Sequence, residues 1–276
     1  MRTPRTTSRT EATVLKLKFR LARHRFPGAR AEGIIRISQD TIVKFSSVEG
    51  HVTEARTLDF IASNTTIPVP RVKDTFWVGQ IAYIAMQFVE GVHLDRAWKT
   101  MSSQQRKDVL VQLKGYMEQL RALVPPHPGV TESVDGTRVE DPWLGRMGPF
   151  ENIAAFEVNL GLAYVRANRL PEDVYDDYEE AIETCYARTL KGEYITKFTH
   201  CDLAPRNILV DPKTCRIVSI IDWESGGWYP EYWEYTQAYM CNQMQPEWSE
   251  IFRTQVLEPY QAELRARQVT ELVLER

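Results

Sequence analysis

The tightest constraint on the fold comes from residues 195 to 224, ITKFTHCDLAPRNILVDPKTCRIVSIIDWE. An apolar run with Ile195 and Phe198 leads into His200-Cys201-Asp202, and Asn207 follows five residues after Asp202. Ile208-Leu209-Val210 reads as a buried strand, Asp211-Pro212-Lys213 as a turn, and Ile217 to Ile221 as a second apolar strand that delivers Asp222. Short apolar runs bounded by turn residues are the mark of strands buried on both faces. The stretch therefore predicts a hairpin with three polar groups at its mouth: Asp202, Asn207 and Asp222.

That constellation suits phosphoryl transfer. The spacing H-x-D-x-x-x-x-N puts an Asp where it orients an attacking hydroxyl and an Asn where it holds a metal ion, and a second Asp at the end of the next strand holds Mg²⁺ between phosphate oxygens. Carboxylate and amide oxygens are the hard donors that Mg²⁺ prefers. The bare alternative is a hairpin with polar loop ends, which any α+β protein can contain. Order, spacing and flanking apolar runs agree with the first reading.

Composition narrows the partners. At 276 residues the chain suffices for one two-lobed domain or two small ones. With 43% apolar and 26% charged residues it is ordinary for a folded protein, and a net charge of -3 gives no overall basic field for nucleic acid. No apolar run is long enough to cross a bilayer, and the N-terminus lacks the apolar segment of a secretory signal. The cysteines at 185, 201, 215 and 241 have no C-x-x-C spacing and no His cluster, so they read as reduced thiols of an intracellular, cytoplasmic protein. Cys201 within the motif reads as a small side chain at a tight position. The first ten residues, with three Arg and no acid, read as a solvated tail, the alternative being the start of a transit peptide.

Residues 14 to 26 alternate as a strand would, but Val14, Leu17 and Leu21 and the lack of breakers favour a basic helix. Gly33 to Ile37, a turn at Ser38-Gln39-Asp40, and Thr41 to Phe45 predict a hairpin with Lys44 on its second strand. A kinase places its phosphate-binding Lys on such a strand and steadies it with an acid from the next helix. Glu54, ahead of the apolar stripe Ala55, Leu58 and Ile61, is placed for that. No G-x-G-x-x-G is present; the turn Ala29 to Gly33 is the candidate for backbone contacts to phosphate. Pro68-Val69-Pro70 is an extended connector, and Phe76 to Val89 forms a second hairpin turning at Gly79-Gln80. The run from Met86 to Gly91 reads as a joint where a planar purine fits between apolar walls, its edge read by Gln87 and Val89, or else as a plain core strand.

Beyond residue 100 the pattern turns helical. Ser102 with Gln105 is a capping box for a helix carrying Val109, Leu113, Met117 and Leu120, stopped by the proline run after Val124. His127 in that run reads as solvated. Residues 129 to 150 are loop-rich and are assigned to the wall of an acceptor site. Two helices are expected at 151 to 167 and 171 to 190, the second with an acidic face. Six aromatics crowd residues 223 to 235. They suit either core packing or the wall of an acceptor pocket in which Glu224, Glu231 and Glu234 meet polar groups. Pro230 opens a helix to about Cys241, and two amphipathic helices close the chain.

The stretch THCDLAPRNILVD with IIDWESGGWYPEYWEY, together with IPVPRV, MQFVEGVHL and GPF, resembles the aminoglycoside phosphotransferase/choline kinase-like family, in its fungal-type subgroup, from about residue 30 to 240. The resemblance implies an α+β, bilobal protein-kinase-like fold with a small β-rich N-lobe and a larger, mainly helical C-lobe. It divides the chain into an N-terminal tail and helix (1–27), a nucleotide-binding lobe (28–89) and a catalytic, acceptor-binding lobe (90–276). It implies ATP as co-substrate, Mg²⁺ as metal and a small-molecule hydroxyl as acceptor, with no nucleic-acid or membrane partner. By motif, Asp202 is the catalytic residue, Asn207 and Asp222 are the metal ligands, Lys44 contacts phosphates, Glu54 holds Lys44, and His200 supports the loop. Cys201 departs from the family's usual Gly at that position. A non-catalytic ligand-binding relative, or a kinase fold turned to other chemistry, would share most of these features.

Overall fold

The computed structural model describes residues 3–26, 33–46, 50–160, 183–185, 187–189 and 191–274. By packing, the chain divides into two compact units, Met1–Val109 with Pro205–Ser225, and Leu110–Ala204 with Gly226–Arg276. The first unit contains the range expected to bind nucleotide. It also takes in the chain up to Val109 and the hairpin that carries Asn207 and Asp222.

The first unit is built on a five-stranded sheet. Its strands are β1 (Arg5–Thr6), β2 (Ile34–Arg36), β3 (Thr41–Ser46), β4 (Val72–Val78) and β5 (Ile81–Gln87), in the order β1-β4-β5-β3-β2. The β2–β3 and β4–β5 hairpins are those expected from the alternation, with Ile35 opposite Val43 and Phe76 opposite Tyr83. Helix α1 (Arg9–Arg25) starts where the Ser8 hydroxyl accepts the Glu11 amide, and ends with Arg23, His24 and Arg25 at its negative end. It packs Phe19 and Ala22 onto Ile35, Val43, Phe76, Tyr83 and Ala85. Tyr83 stacks with Phe19, Phe45 and Phe76 at centroid distances of 5.2–5.5 Å, pairs worth about 0.5–1.5 kcal/mol each beyond their buried area.

Two expectations are corrected here. The helix over 14–26 forms, but Val14, Leu17 and Leu21 are exposed while Phe19 and Ala22 are buried, because the face that meets the sheet lies opposite the stripe they make. The N-terminal tail is also not wholly free. Arg5 and Thr6 pair in parallel with Phe76 and Trp77, and the Arg5 guanidinium bridges Asp74 and Glu11.

Period-2 alternation sends Val43 toward α1 and Lys44 to the opposite face. Helix α2 (Gly50–Asn64) packs against β3, β4 and β5 with Ala55, Leu58 and Ile61 buried, and it carries Glu54. A second, three-stranded sheet joins β6 (Val92–His93), β11 (Ile208–Val210) and β12 (Ile217–Ile220), in the order β12-β11-β6. Its turn is held by Asp211, whose carboxylate accepts the amides of Lys213 and Thr214. The Pro68 carbonyl accepts the Ile220 amide, which ties the proline connector to this hairpin. After a short helix, α3 (Leu94–Ala97), comes α4 (Ser103–Ala122), and its capping box is formed: the Ser102 amide donates to Gln105 Oε1 at 2.8 Å and the Gln105 amide to Ser102 Oγ at 3.3 Å.

The second unit centres on aromatic packing. Strands β7 (Glu132–Ser133), β10 (Thr196–Thr199) and β13 (Gly227–Pro230) form a sheet in the order β10-β13-β7, and β8 (Val139–Asp141) pairs with β9 (Gly145–Met147). Gly227 lets β7 approach closely: a Cβ there would lie 2.9 Å from the Glu132 carbonyl. Helices α5 (Ile153–Asn159), α6 (Trp233–Met240), α7 (Pro246–Gln255) and α8 (Gln261–Leu274) complete the described part. Most of the two helices expected at 151–167 and 171–190, and the acidic face of the second, lie outside the described residues. Pro230 ends β13, paired with Thr196, and α6 begins only at Trp233; the ring fits a strand end as well as a helix start, and the pairing with β10 decides between them.

The six aromatics of residues 223–235 are all core. Trp223, Trp228, Tyr229, Trp233 and Tyr235 are at most 1% exposed and Tyr232 is 5% exposed. Phe156 meets Trp233 edge-on at 4.8 Å, and Tyr229 stacks on Trp233 at 5.9 Å. Tyr232 also meets Trp233 edge-on, Trp228 packs edge-on against Phe198 and Tyr235 against Tyr260. His127 is exposed, as expected of a solvated residue, and its Nδ1 lies 2.7 Å from the buried carboxylate of Glu132.

Candidate active site

In the first unit the chain brings four charged side chains together. Lys44 Nζ donates to Glu54 Oε2 at 2.9 Å, to Asp222 Oδ1, and to Glu224 Oε2 at 3.1 Å. Each arrives by a separate local cause: Lys44 by strand alternation, Glu54 from the first turns of α2, and Asp222 from the end of β12. Asp222 adopts φ 68°, a left-handed conformation that Asp tolerates better than most residues. Glu224 comes from the 3-10 turn Trp223–Ser225, which is pinned by the fully buried indole of Trp223 donating to the Ile220 carbonyl at 2.9 Å.

Burial is graded across the cluster. Side-chain exposure is 2% for Glu54, 12% for Lys44, 34% for Asp222 and 39% for Glu224. Burial pulls the Lys44 ammonium down, but Glu54, Asp222 and Glu224 outweigh it and hold the group above its ordinary range. Glu54 is pushed up, chiefly by burial and further by Asp222 and Glu224, against the pull of Lys44. Lys44 thus meets three carboxylates.

Asn207 closes the 3-10 turn Pro205–Asn207 and is 4% exposed. Its carbonyl accepts the Ile221 amide at 2.9 Å, and Ile208 pairs with Ile220, so Asn207 and Asp222 leave the two strands at the same end of the hairpin. A cavity of about 480 Å³ in this unit is lined at one end by Lys44, Glu54 and Asp222, and along its walls by Ile42, Met86, Leu209 and Ile221. Gln87 and Val89 also line it. The backbone there is held by the Gln87 amide on the Arg71 carbonyl and the Phe88 amide on the Asp40 carbonyl. Apolar walls with a charged end in this volume range are what a small-molecule site requires. Of the turn Ala29 to Gly33, all but Gly33 lies outside the described residues.

Asp202 belongs to the second unit, in the loop after β10. His200 is fully buried and its Nδ1 accepts the Asp202 amide at 3.2 Å, while the Asp202 carbonyl accepts the Ala204 amide at 2.9 Å. The loop hangs on Glu234 of α6, whose Oε2 accepts the His200 amide at 2.7 Å and the Cys201 amide at 3.4 Å. Cys201 sits at φ 73° with its side chain fully buried, and its thiol points at Asp141 Oδ2, 3.6 Å away. Asp141 also accepts from the Gln237 side-chain amide and from the backbone amides of Trp143 and Leu144. Burial, with Asp141 nearby, pushes the Cys201 thiol well up, so it is a packed side chain and not a nucleophile.

A family model described as the phosphotransferase enzyme family matches residues 39–270. The chain belongs to that family. As a member of the phosphotransferase enzyme family it shares its fold with solved aminoglycoside phosphotransferases. A thermostable mutant of APH(4)-Ia in its apo form is 15% identical at a TM-score of 0.57, over 88% of this chain and 83% of that one. A thermostable mutant of the same enzyme in ternary complex with ADP and hygromycin B is 14% identical at 0.56, over 91% and 87%. APH(3'')-Id from Streptomyces rimosus, in complex with ADP and streptomycin, is 16% identical at 0.54, over 94% and 97%. No curated protein sequence matches the chain. The α+β kinase-like fold expected from the motifs is the fold observed, with a five-stranded N-terminal sheet and a largely helical C-terminal part. No described helix is long and apolar enough to cross a membrane.

Three residues of the site were not assigned these places from sequence. Glu224, grouped there with acceptor-binding acids, is instead a partner of Lys44. Its position two residues after Asp222 was the available signal. Glu234 is buried beneath the loop, 1% exposed, and is not free to meet a ligand. Apart from its turn with Trp143 and Leu144, Asp141 carries no local signal of its role, because Cys201 and Gln237 are 60 and 96 residues away.

Proposed function

We propose that this phosphotransferase moves the γ-phosphoryl group of ATP to a hydroxyl of a small molecule. The observation that carries the reading is the Lys44–Glu54 pair with Asp222 in a cavity whose walls are largely apolar, with His93 and Arg96 also lining it. The walls suit a purine, whose edge Gln87 and Val89 would read, and Lys44, steadied by Glu54, would neutralise phosphate oxygens. Residues 28–89 supply most of that nucleotide site, and the chain from 90 onward supplies the rest together with the acceptor site.

The donor set fits Mg²⁺. Asn207 and Asp222 offer hard oxygens at the same end of one hairpin. Such an ion supplies charge neutralisation on the phosphate oxygens. Asp202 would accept the acceptor's hydroxyl proton and aim the oxygen at the γ-phosphorus. The buried links through His200 and Glu234 keep that loop in one shape, and positioning is most of what this reaction asks of a protein. The complexes of the solved structures with hygromycin B and streptomycin are consistent with a small-molecule acceptor.

Thermal denaturation with ATP and Mg²⁺ tests the nucleotide reading. A ligand at a hundredfold its Kd stabilises by about 2.7 kcal/mol, so the midpoint should rise clearly and Lys44→Ala should cancel most of the rise. No shift for the wild type at millimolar ATP would count against it.

A further inference from the structure

Helix α1 has two apolar faces, and the sheet covers one of them. Phe19 and Ala22 are buried there, with Ala12 and Leu15 packed alongside. Val14, Leu17 and Leu21, at i, i+3 and i+7, make a second stripe on the far side and are 47%, 58% and 60% exposed. Single exposed aliphatics need no explanation, but three in register on one helix make a ridge. By helical phase Lys16 and Arg20 flank that ridge on one side and Lys18 and Arg25 on the other, and all four are exposed. The helix carries four Arg and two Lys against one acid, Glu11, which is bonded to Arg5. Its position on the sheet is fixed at both faces of the joint: Ser8 caps its start, and Arg5 and Thr6 pair with Phe76 and Trp77 just before it.

We propose that this ridge docks on an anionic lipid bilayer, with Val14, Leu17 and Leu21 at the level of the outer acyl carbons and the flanking cations among the headgroup phosphates. Charge complementarity selects this occupant, because cations stand on both sides of the apolar line and the one acid of the helix is held by Arg5. Shape agrees. A convex ridge fits a flat surface, whereas a protein partner would have to offer a groove with acids along both rims. The long stems of Lys and Arg let the charges stay in the headgroup layer while the aliphatics go deeper. Apolar runs too short to span a bilayer do not bear on a helix that lies at its surface. Three aliphatic side chains give a marginal hold alone, so the docking is reversible and needs the anionic lipid as well.

Sedimentation of the full chain with lipid vesicles tests this. Vesicles of phosphatidylcholine with about 30% phosphatidylserine should bind the wild type about tenfold or more tightly than phosphatidylcholine alone, each charged contact adding to the hold. Raising salt from about 0.1 M to about 0.5 M should weaken that binding several-fold. Leu17→Gln with Leu21→Gln changes two exposed side chains, so circular dichroism and the thermal midpoint should stay as in the wild type while vesicle binding falls about fivefold or more. Lys18→Gln with Arg20→Gln should lower it similarly. A wild type that does not sediment with the anionic vesicles overturns the proposal. Wild-type binding by the leucine variant also overturns it, since the hold is then diffuse charge without the ridge. So does a wild type that light scattering finds dimeric and a leucine variant that it finds monomeric, because the ridge then joins two copies. Should the leucine pair not fold, Leu17→Gln alone is read the same way.

Discussion

Cys201 combines two properties that oppose each other in any substitution. At φ 73° its backbone is in the left-handed region, which costs a residue with a Cβ about 1–2 kcal/mol. Its side chain is fully buried among Phe156, Tyr229 and Trp233 and is bonded to Asp141. Cys201→Ala keeps the strain and loses the sulfur with its bond to Asp141, about 1–2 kcal/mol in all. Cys201→Gly loses a further carbon, about 1 kcal/mol, and gains about 0.5–1 kcal/mol of unfolded-chain freedom, but recovers the strain of about 1–2 kcal/mol. The two variants should therefore lie within about 1 kcal/mol of each other, both below the wild type. At a buried site with negative φ, Gly would trail Ala by about 1.5–2 kcal/mol on the same terms. Urea midpoints of the two variants measure the difference. Gly falling 2 kcal/mol or more below Ala would refute the balance struck here, because it would mean that the left-handed backbone carries no cost.

Other perturbations follow from buried charge. Glu157 is 4% exposed, and burial pushes its carboxyl up to about 7 from 4.5 despite bonds from Thr189 and Tyr232. A raised carboxyl favours the protonated folded state, so stability should be full below pH 4.5 and fall by about 3 kcal/mol as pH rises to 7. Glu157→Gln should match the wild type near pH 4.5 and exceed it progressively up to pH 7.5; a difference in thermal midpoint that does not change with pH would exclude this origin. Lys44→Met leaves Glu54 buried without its counter-charge and should cost about 3 kcal/mol at pH 8. The cost should shrink at pH 6, where Glu54 takes up a proton, and Lys44→Met with Glu54→Gln should recover most of it; a double variant no more stable than the single one would contradict the pairing.

What could be read from the sequence was set by local pattern. The two N-terminal hairpins, the capping box at Ser102 and Gln105, and the hairpin between Asn207 and Asp222 follow from periodicity and turn chemistry within a few residues. Lys44 and Glu54, ten positions apart, pair in the sequence through the kinase pattern of a strand Lys steadied by an acid from the next helix. The supports of the Asp202 loop were not readable. Glu234 is 34 residues from His200 and Asp141 is 60 from Cys201, and a buried acid looks like a surface acid until its partners are known. Amphipathic stripes misled for the same reason. Val14, Leu17 and Leu21 make as good a stripe as the face that packs, and only the sheet shows which face is covered. The aromatics of 223–235 suited a core or a wall equally, since aromatic residues line both.

The proposed reaction makes phosphoryl transfer depend on Asp202, and one comparison measures that directly. Wild type and Asp202→Asn are given ATP, Mg²⁺ and a pool of hydroxylated small molecules, phosphorylated products are quantified by mass spectrometry, and AMP-PNP affinity is measured on both proteins. The account predicts a product whose rate of formation falls about a hundredfold or more in the variant, with nucleotide affinity unchanged. Near-normal turnover in Asp202→Asn would contradict it.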